Sequence, residues 1–218
     1  MHKKIYTVRR LLSPQLDELE KCYSAFDFLH INPYKKDFLE NVMLHGRIWG
    51  IYDSGKLFSC CCFFPGDMPF FADSGARWNI KDLLATETDR YLVMGYVWTD
   101  KEYENEKTLS LFARLAQDIA LRSGIEKVLH CSAAHINTDM GQLISAGYRL
   151  AGLRGLDKLV PHYIFVSAPE NKKHPSSKEN EIKKCPSSNT KELSSLCEKG
   201  WRGTGIDGEG NIIFTYGR

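Results

Sequence analysis

The chain has 218 residues, a length that suits one domain or one domain with a small appendage. Lys and Arg number 29 against 27 Asp and Glu, and the formal net charge of +2 excludes a whole-chain attraction to nucleic acid or to an acidic membrane surface. Hydrophobic residues make up 43%, yet no apolar run approaches the roughly 20 residues of a membrane-spanning helix, so we expect a globular cytoplasmic protein.

The first half of the chain predicts a strand, two helices and a hairpin. A strand over residues 5–11 precedes a helix that begins at Pro14, after the N-cap Ser13. A second helix begins at Asn32-Pro33 and ends at Gly46. Residues 53–56 then form a turn between two further strands, over 47–52 and 57–64.

An irregular insertion over residues 65–90 separates this half from an alternating second half. The second half predicts strands over 91–98 and 127–133, each followed by a helix. These helices cover residues 108–123 and 138–146, and Gly124 and Gly147 end them. Strands over 148–153 and 162–166 complete residues 1–166, which we interpret as one domain.

The last fifty residues predict a linker and a small docking element. Residues 167–190 are rich in Ser, Lys, Pro and Glu and contain too few apolar side chains to offset the entropy of ordering them. Residues 191–218 predict a short helix and a β-hairpin that turns at residues 207–211. About 28 residues cannot form an independent core. We therefore expect this element to dock on its own domain, or on a second copy in a homodimer.

The element order predicts an α/β fold. Hairpins require antiparallel pairing, whereas a strand, a crossover helix and a following strand imply a parallel pair. We predict a mixed, mostly antiparallel central sheet with helices on both faces, plus the C-terminal docking element.

Three consecutive cysteines, Cys60, Cys61 and Cys62, are among the seven in the chain. Neighbours on a strand point to opposite faces, which disfavours a disulfide between them and does not converge ligands on a metal. We interpret them as free thiols of a buried strand in a reducing compartment, and we expect no metal site.

Residues 91–166 resemble the GNAT acetyltransferase superfamily. The features that carry the resemblance are the apolar strand that leads through residues 97–107 into a long helix, the strand over 127–130, Asn137 before a short helix, and the pair Gly147-Tyr148. The resemblance implies acetyl-coenzyme A, or another acyl-coenzyme A, as co-substrate, with its pyrophosphate held by amides of the loop before the helix. The implied cofactor-binding residues are Val97, Thr99, Lys107, Thr108, Leu109, Ser110 and Asn137.

The loop departs from the family pattern. Lys107 and Leu109 stand where that pattern has glycine, and Glu104 stands near its arginine. A helix N-terminus offers amides and a positive dipole end without glycine, whereas Glu102, Glu104 and Glu106 would repel a phosphate.

Catalysis of acyl transfer to an amine needs a general base, for which the candidates are Asp100 and Glu102 at the end of the apolar strand. The alternative for both is a solvated loop carboxylate. The family's tyrosine in the last helix is replaced by Leu143, and Tyr148 is the nearby candidate to protonate the leaving thiolate. His130 fits a core or surface residue better than a base.

The predicted function is N-acyl transfer from an acyl thioester to the amine of a small molecule or peptide. The insertion over 65–90 would cover the acceptor. A second hypothesis is a degenerate, non-catalytic domain that binds an acyl thioester or a partner protein. A third is a transferase that takes its acyl group from an acyl carrier protein.

Overall fold

The computed structural model describes residues 5–12, 17, 19, 35–66, 91–133, 137–156, 160–168 and 181–216. The predicted insertion falls almost entirely outside these residues, and so does most of the predicted first helix. Within the described part of the chain the helices are α1 (Lys35–His45), α2 (Thr108–Arg122), α3 (Asn137–Ser145) and α4 (Thr190–Glu198). The strands are β1 (Thr7–Arg10), β2 (Arg47–Asp53), β3 (Lys56–Pro65), β4 (Tyr91–Thr99), β5 (Lys127–Ala133), β6 (Arg149–Leu156), β7 (Val160–Ser167), β8 (Ile182–Pro186), β9 (Trp201–Ile206) and β10 (Asn211–Tyr216).

The ten strands of the described residues form one sheet in the order β1-β2-β3-β4-β5-β7-β6-β9-β10-β8. β4 and β5 are parallel, because helix α2 carries the chain back across the sheet between them. The other strand pairs are antiparallel. The predicted mixed, mostly antiparallel sheet is confirmed.

Apolar side chains cover both faces of the sheet. On one face, Phe112 and its neighbours in α2 pack with residues of α3 and α4 over the strands. On the other face, Leu39 and Val42 of α1 pack in a second cluster. Helices therefore lie on both faces, as predicted.

Strand β3 is paired on both edges, with β2 and β4, and it is buried on both faces because a hydrophobic cluster covers each of them. Cys60 and Cys62 belong to the cluster beneath α1, and Cys61 belongs to the cluster beneath α2. All three are fully buried free thiols. The interpretation of this run as a buried strand is confirmed.

The C-terminal strands extend the same sheet. Residues 182–186, which the sequence assigned to the linker, form β8 and pair with β10. The polar composition of this segment does not indicate a strand. In the structure Cys185 is nevertheless buried, and the Lys183 ammonium lies 4.3 Å from the centre of the Trp201 ring. Leu150 of β6 pairs with Gly203 of β9, and this register joins the C-terminal strands to the rest of the sheet.

Candidate active site

Strands β4 and β5 pair at their beginnings and then separate. Their ladder runs from Tyr91 and Lys127 to Met94 and His130, whereas β4 continues to Thr99 and β5 to Ala133. The other edge of β5 stays paired with β7 along that whole length. The carboxyl ends of two parallel strands thus diverge at the start of helix α2, the position at which open α/β sheets bind ligands.

A β-bulge redirects β4 just beyond the point of divergence. Cys60 pairs with Trp98 and Cys62 pairs with Gly95, so β4 has an additional residue opposite β3. Tyr96 in this bulge has a φ of 53°, a left-handed conformation that is uncommon outside glycine. The Cys61 thiol donates to the Gly95 carbonyl over 3.5 Å. Bulges are frequent beside active sites, because they change the direction of backbone groups.

His130 lies at the point where strands β4 and β5 begin to separate. It is buried, and its Nδ1 lies 2.8 Å from the Met94 carbonyl oxygen of β4. Because a carbonyl can only accept, Nδ1 carries the proton. Burial lowers the pKa of His130 to about 4, so the imidazole is neutral at physiological pH. His130 thereby joins the two strands where their ladder ends.

A chain of hydroxyls attaches the start of α2 to the end of β4. Ser59 donates to the Trp98 carbonyl over 2.7 Å, and this uses its only proton. Thr99 therefore donates to Ser59 over 2.9 Å, and Thr108 donates to Thr99 over 3.0 Å. Ser59 and Thr108 are buried, so these hydrogen-bonded hydroxyls belong to the interior of the fold.

The first turn of α2 is also tied to α3. Lys107 is the N-cap of α2 and provides no side-chain cap. The Ser110 amide donates instead to Oε1 of Gln142 over 3.2 Å. A side chain from α3 thus satisfies one of the amides that a helix N-terminus leaves open.

The half-buried carboxylate of Asp139 lies beside the diverged part of β5, and the sequence alone did not indicate it. Asp139, in the first turn of α3, accepts a hydrogen bond from the Ser132 hydroxyl over 3.1 Å. Ser132 lies two residues beyond His130, in the part of β5 that has diverged from β4. Burial raises the pKa of Asp139, whereas the bond from Ser132 lowers it. Acidic residues are common at the start of a helix, where they interact favourably with the helix dipole. Only the contact with Ser132 therefore distinguishes Asp139.

Solved structures share this fold. The ribosomal-protein-S18-alanine N-acetyltransferase of Escherichia coli matches with a TM-score of 0.54 and 11% identity over 81% of this chain and 100% of that chain. NAA60 of Arabidopsis thaliana in complex with acetyl-CoA matches with a TM-score of 0.56 and 14% identity over 75% and 98%. An acetyltransferase of the GNAT family from Streptococcus pneumoniae matches with a TM-score of 0.56 and 12% identity over 75% and 99%. The chain has the GNAT fold.

The GNAT fold accounts for only part of the molecule. The three structures are matched over 98–100% of their own lengths but over 75–81% of this chain, so part of this chain lies outside the shared fold. No protein-family model matches the sequence. No curated protein matches it either.

The predicted base candidates lie in the loop that directly follows β4. Asp100 caps the 3-10 helix Lys101–Tyr103 by accepting the Glu102 amide, and Lys56 of the β2–β3 hairpin lies 3.4 Å from its carboxylate. The bond from the Glu102 amide, followed by the contact with Lys56, lowers the pKa of Asp100. The exposed Glu102 carboxylate also pairs with Lys56, at 3.5 Å. These contacts are typical of side chains that hold a loop in place rather than of a base that removes a proton. We call the contacts of Asp100 and Glu102 with Lys56 the loop clamp.

A tyrosine completes this clamp. Tyr103 stacks on Phe58 with the ring centres 4.1 Å apart, and its hydroxyl donates to Asp53 over 3.0 Å. The hairpin between β2 and β3 therefore holds the loop that precedes α2.

Tyr148 lies in the core beneath α2. It is buried, and its hydroxyl donates to the Ala113 carbonyl over 3.2 Å. Burial, followed by the Cys61 thiol, raises its pKa. The structure does not bring Tyr148 together with Asp100 and Glu102.

Most of the predicted cofactor-binding residues lie at the end of β4 or at the start of α2. Val97 and Thr99 lie on β4 beyond the divergence, and the hydroxyl chain joins Thr99 to the start of α2. Thr108, Leu109 and Ser110 form the first turn of α2 and are buried, whereas Lys107 is exposed. Asn137 is the first residue of α3.

In the part of the chain that the structure describes, no group of three His, Cys, Asp or Glu side chains is arranged to hold a metal ion. None of its helices is long and apolar enough to cross a membrane.

Proposed function

We propose that this protein is an N-acyltransferase that moves an acetyl or other acyl group from a coenzyme A thioester to an amine. The observation that carries the proposal is the divergence of the parallel strands β4 and β5 beyond Met94 and His130, next to a bulge in β4. The fold supports it, because the same architecture occurs in an acetyl-CoA complex of NAA60.

The open edge of β4 would hold the donor. Past Met94 the β4–β5 ladder has ended, while Val97 and Thr99 continue the strand. An extended amide-containing arm can add to such an edge through backbone hydrogen bonds. Pantetheine contains two amides, so the part of the donor next to the thioester has the required groups.

Transfer requires one new bond and one broken bond. The amine nitrogen bonds to the thioester carbonyl carbon, a base takes the amine proton, the C–S bond breaks and the thiolate takes up a proton. We assign the base role to Asp139, whose carboxylate lies beside the diverged part of β5. A bulge amide of β4 would stabilise the oxyanion, since backbone donors do this in acyl transfer.

The acceptor is an amine of a small molecule or a peptide. The E. coli neighbour is named for the alanine of ribosomal protein S18, a peptide acceptor. The GNAT fold by itself is compatible with either class.

The test is release of free thiol from acetyl-CoA in the presence of a panel of amines and N-terminal peptides, with the amide product identified by mass. Thermal unfolding with coenzyme A provides the binding measurement, because ligand at 100 times its Kd adds about 2.7 kcal/mol to stability. Transfer to any amine supports the proposal. The absence of both transfer and stabilisation at millimolar ligand would contradict it.

A second candidate is a non-catalytic domain that binds an acyl thioester or a partner protein. It is favoured by the contacts of Asp100 with Lys56 and of Tyr148 with Ala113, which engage two of the predicted catalytic groups elsewhere. Stabilisation by coenzyme A without transfer to any amine would select this function.

A further inference from the structure

The loop between β4 and α2 uses its own backbone amides. Between residues 100 and 110, seven amides donate to acceptors within the protein. The donors are Asp100, Glu102, Tyr103, Glu104, Glu106, Thr108 and Ser110. A site for a diphosphate at a helix N-terminus depends on amides that are directed at the ligand. Most of the amides in this loop are already engaged.

Two of these contacts lie in the first turn of α2. The Thr108 amide donates to the Glu106 carbonyl over 2.8 Å. The Ser110 amide donates to Gln142 over 3.2 Å, so the carbonyl oxygen of a side chain stands where a phosphate oxygen would have to be. A diphosphate would have to displace Gln142 to reach this amide.

The charge of the loop also opposes a diphosphate. Residues 100–107 contain Asp100, Glu102, Glu104 and Glu106 against two lysines, Lys101 and Lys107. Lys56, the cation that the neighbouring hairpin contributes, is paired with Asp100 and Glu102. The net negative loop repels a dianionic group that approaches the start of α2.

The edge of β4 contrasts with this loop, because its ladder with β5 ends at Met94 and the strand runs on for five residues. We propose that this protein recognises its acyl donor through the pantetheine arm alone, and that the nucleotide diphosphate of coenzyme A contributes nothing to affinity. The donor class is then any acyl-pantetheine thioester. This inference rests on the proposed function and specifies its substrate.

The experiment compares coenzyme A with pantetheine by isothermal titration of the full chain, and acetyl-CoA with S-acetylpantetheine in the transfer assay. We expect Kd values that agree within about threefold, and kcat/KM values that agree to the same extent. A preference for coenzyme A of about tenfold or more overturns the inference while the proposed function stands. If neither ligand binds at millimolar concentration, the inference and the proposed function both fail.

A pair of matched variants tests the loop directly. Glu104→Gln removes an exposed carboxylate from the loop, and we expect it to tighten coenzyme A by about threefold without changing pantetheine. Glu40→Gln removes an exposed carboxylate from α1 and should change neither ligand. If Glu104→Gln weakens the binding of coenzyme A, the inference is wrong.

Gln142→Ala tests the occupied amide. It frees the Ser110 amide, and we expect coenzyme A to bind more tightly while pantetheine binds as before. Weaker binding of coenzyme A to this variant would mean that Gln142 holds the ligand, which overturns the inference.

Discussion

At the scale of single residues, the site depends on buried polar groups that the strands bring together. His130 joins β5 to β4 through the Met94 carbonyl, and Ser132 joins β5 to Asp139 of α3. Both contacts lie where β4 and β5 begin to separate. Their burial couples protonation to folding, because the low dielectric disfavours the charged form of each group.

His130 should make the protein sensitive to mild acid. Its pKa is lowered from 6.5 to about 4, so the unfolded chain binds a proton that the folded chain refuses between these values. The free energy of unfolding therefore has its full value above pH 6.5 and decreases by about 3 kcal/mol in total as the pH falls toward 4. Urea unfolding at several pH values measures it. His130→Gln keeps a donor for Met94 and should flatten the slope; an unchanged slope would contradict the assignment.

Asp139 should have opposite effects on stability and activity. Its raised pKa means that the folded state favours the protonated form, so stability is lost as the pH rises through the unfolded pKa toward the folded one. Asp139→Asn keeps an acceptor for Ser132 and should raise the melting temperature at pH 7 but not at pH 3. We also expect it to lower kcat about a hundredfold or more, as for loss of a general base. A melting temperature that rises while activity is retained would exclude the base role.

At the scale of secondary-structure elements, α2 is the helix that positions the site. Its first turn is attached to β4 and α3, and its inner face packs on β3 through Phe112, whose ring lies 6.3 Å from that of Phe63. The periodicity of its apolar residues predicted this helix, and Gly124, with a φ of 66°, follows its end as expected.

Neighbouring positions in α2 should respond very differently to alanine. Phe112 is fully buried, so Phe112→Ala should lower the free energy of unfolding by about 3–5 kcal/mol. Leu111 is 44% exposed, and Leu111→Ala should change it by less than about 1 kcal/mol. Denaturant unfolding of the two variants compares them. Equal effects would mean that α2 does not pack through this face.

At the scale of the whole molecule, one sheet joins the GNAT fold to the C-terminal strands. The core cluster beneath α2 continues into Leu193 and Leu196 of α4, Trp201 of β9 and Phe214 of β10. We propose that residues 191–218 act as a docking element that stabilises the domain, and the packing of these side chains in a shared cluster supports this. Because the shared cluster is hydrophobic, a change that disrupts it should destabilise both the GNAT fold and the C-terminal strands.

Gly203 offers a selective way to disturb this junction. A Cβ at this position would lie 2.9 Å from the Cβ of Leu150 and 2.9 Å from Ile212. Gly203→Val should therefore lower stability by about 1–3 kcal/mol, through overpacking between β6 and β9. Gly208→Ala meets no atom within 4 Å and is the matched control. Thermal unfolding and gel filtration would detect the change, and two variants of equal stability would contradict the docking of these strands on β6.

The sequence determined the elements whose evidence is local. Helix α2 follows from its apolar periodicity, β3 from its apolar run, and the β2–β3 hairpin from its turn, since each signal lies within one element. The order of these elements was enough to predict a mixed sheet with helices on both faces. The turn at residues 207–211 predicted β9 only as one arm of a hairpin, whereas β8 was assigned to the linker and depends on its pairing with β10.

Only the tertiary structure decided which side chains meet in the site. Asp100 and Glu102 stand at the end of β4 in the sequence, but their partner Lys56 comes from a hairpin more than forty residues away. Asp139 became a candidate only through Ser132, and the Ser110 amide is occupied only because α3 places Gln142 beside it. Such contacts join residues that are distant along the chain. Their energies depend on burial and geometry, and the amino-acid pattern of one segment records neither.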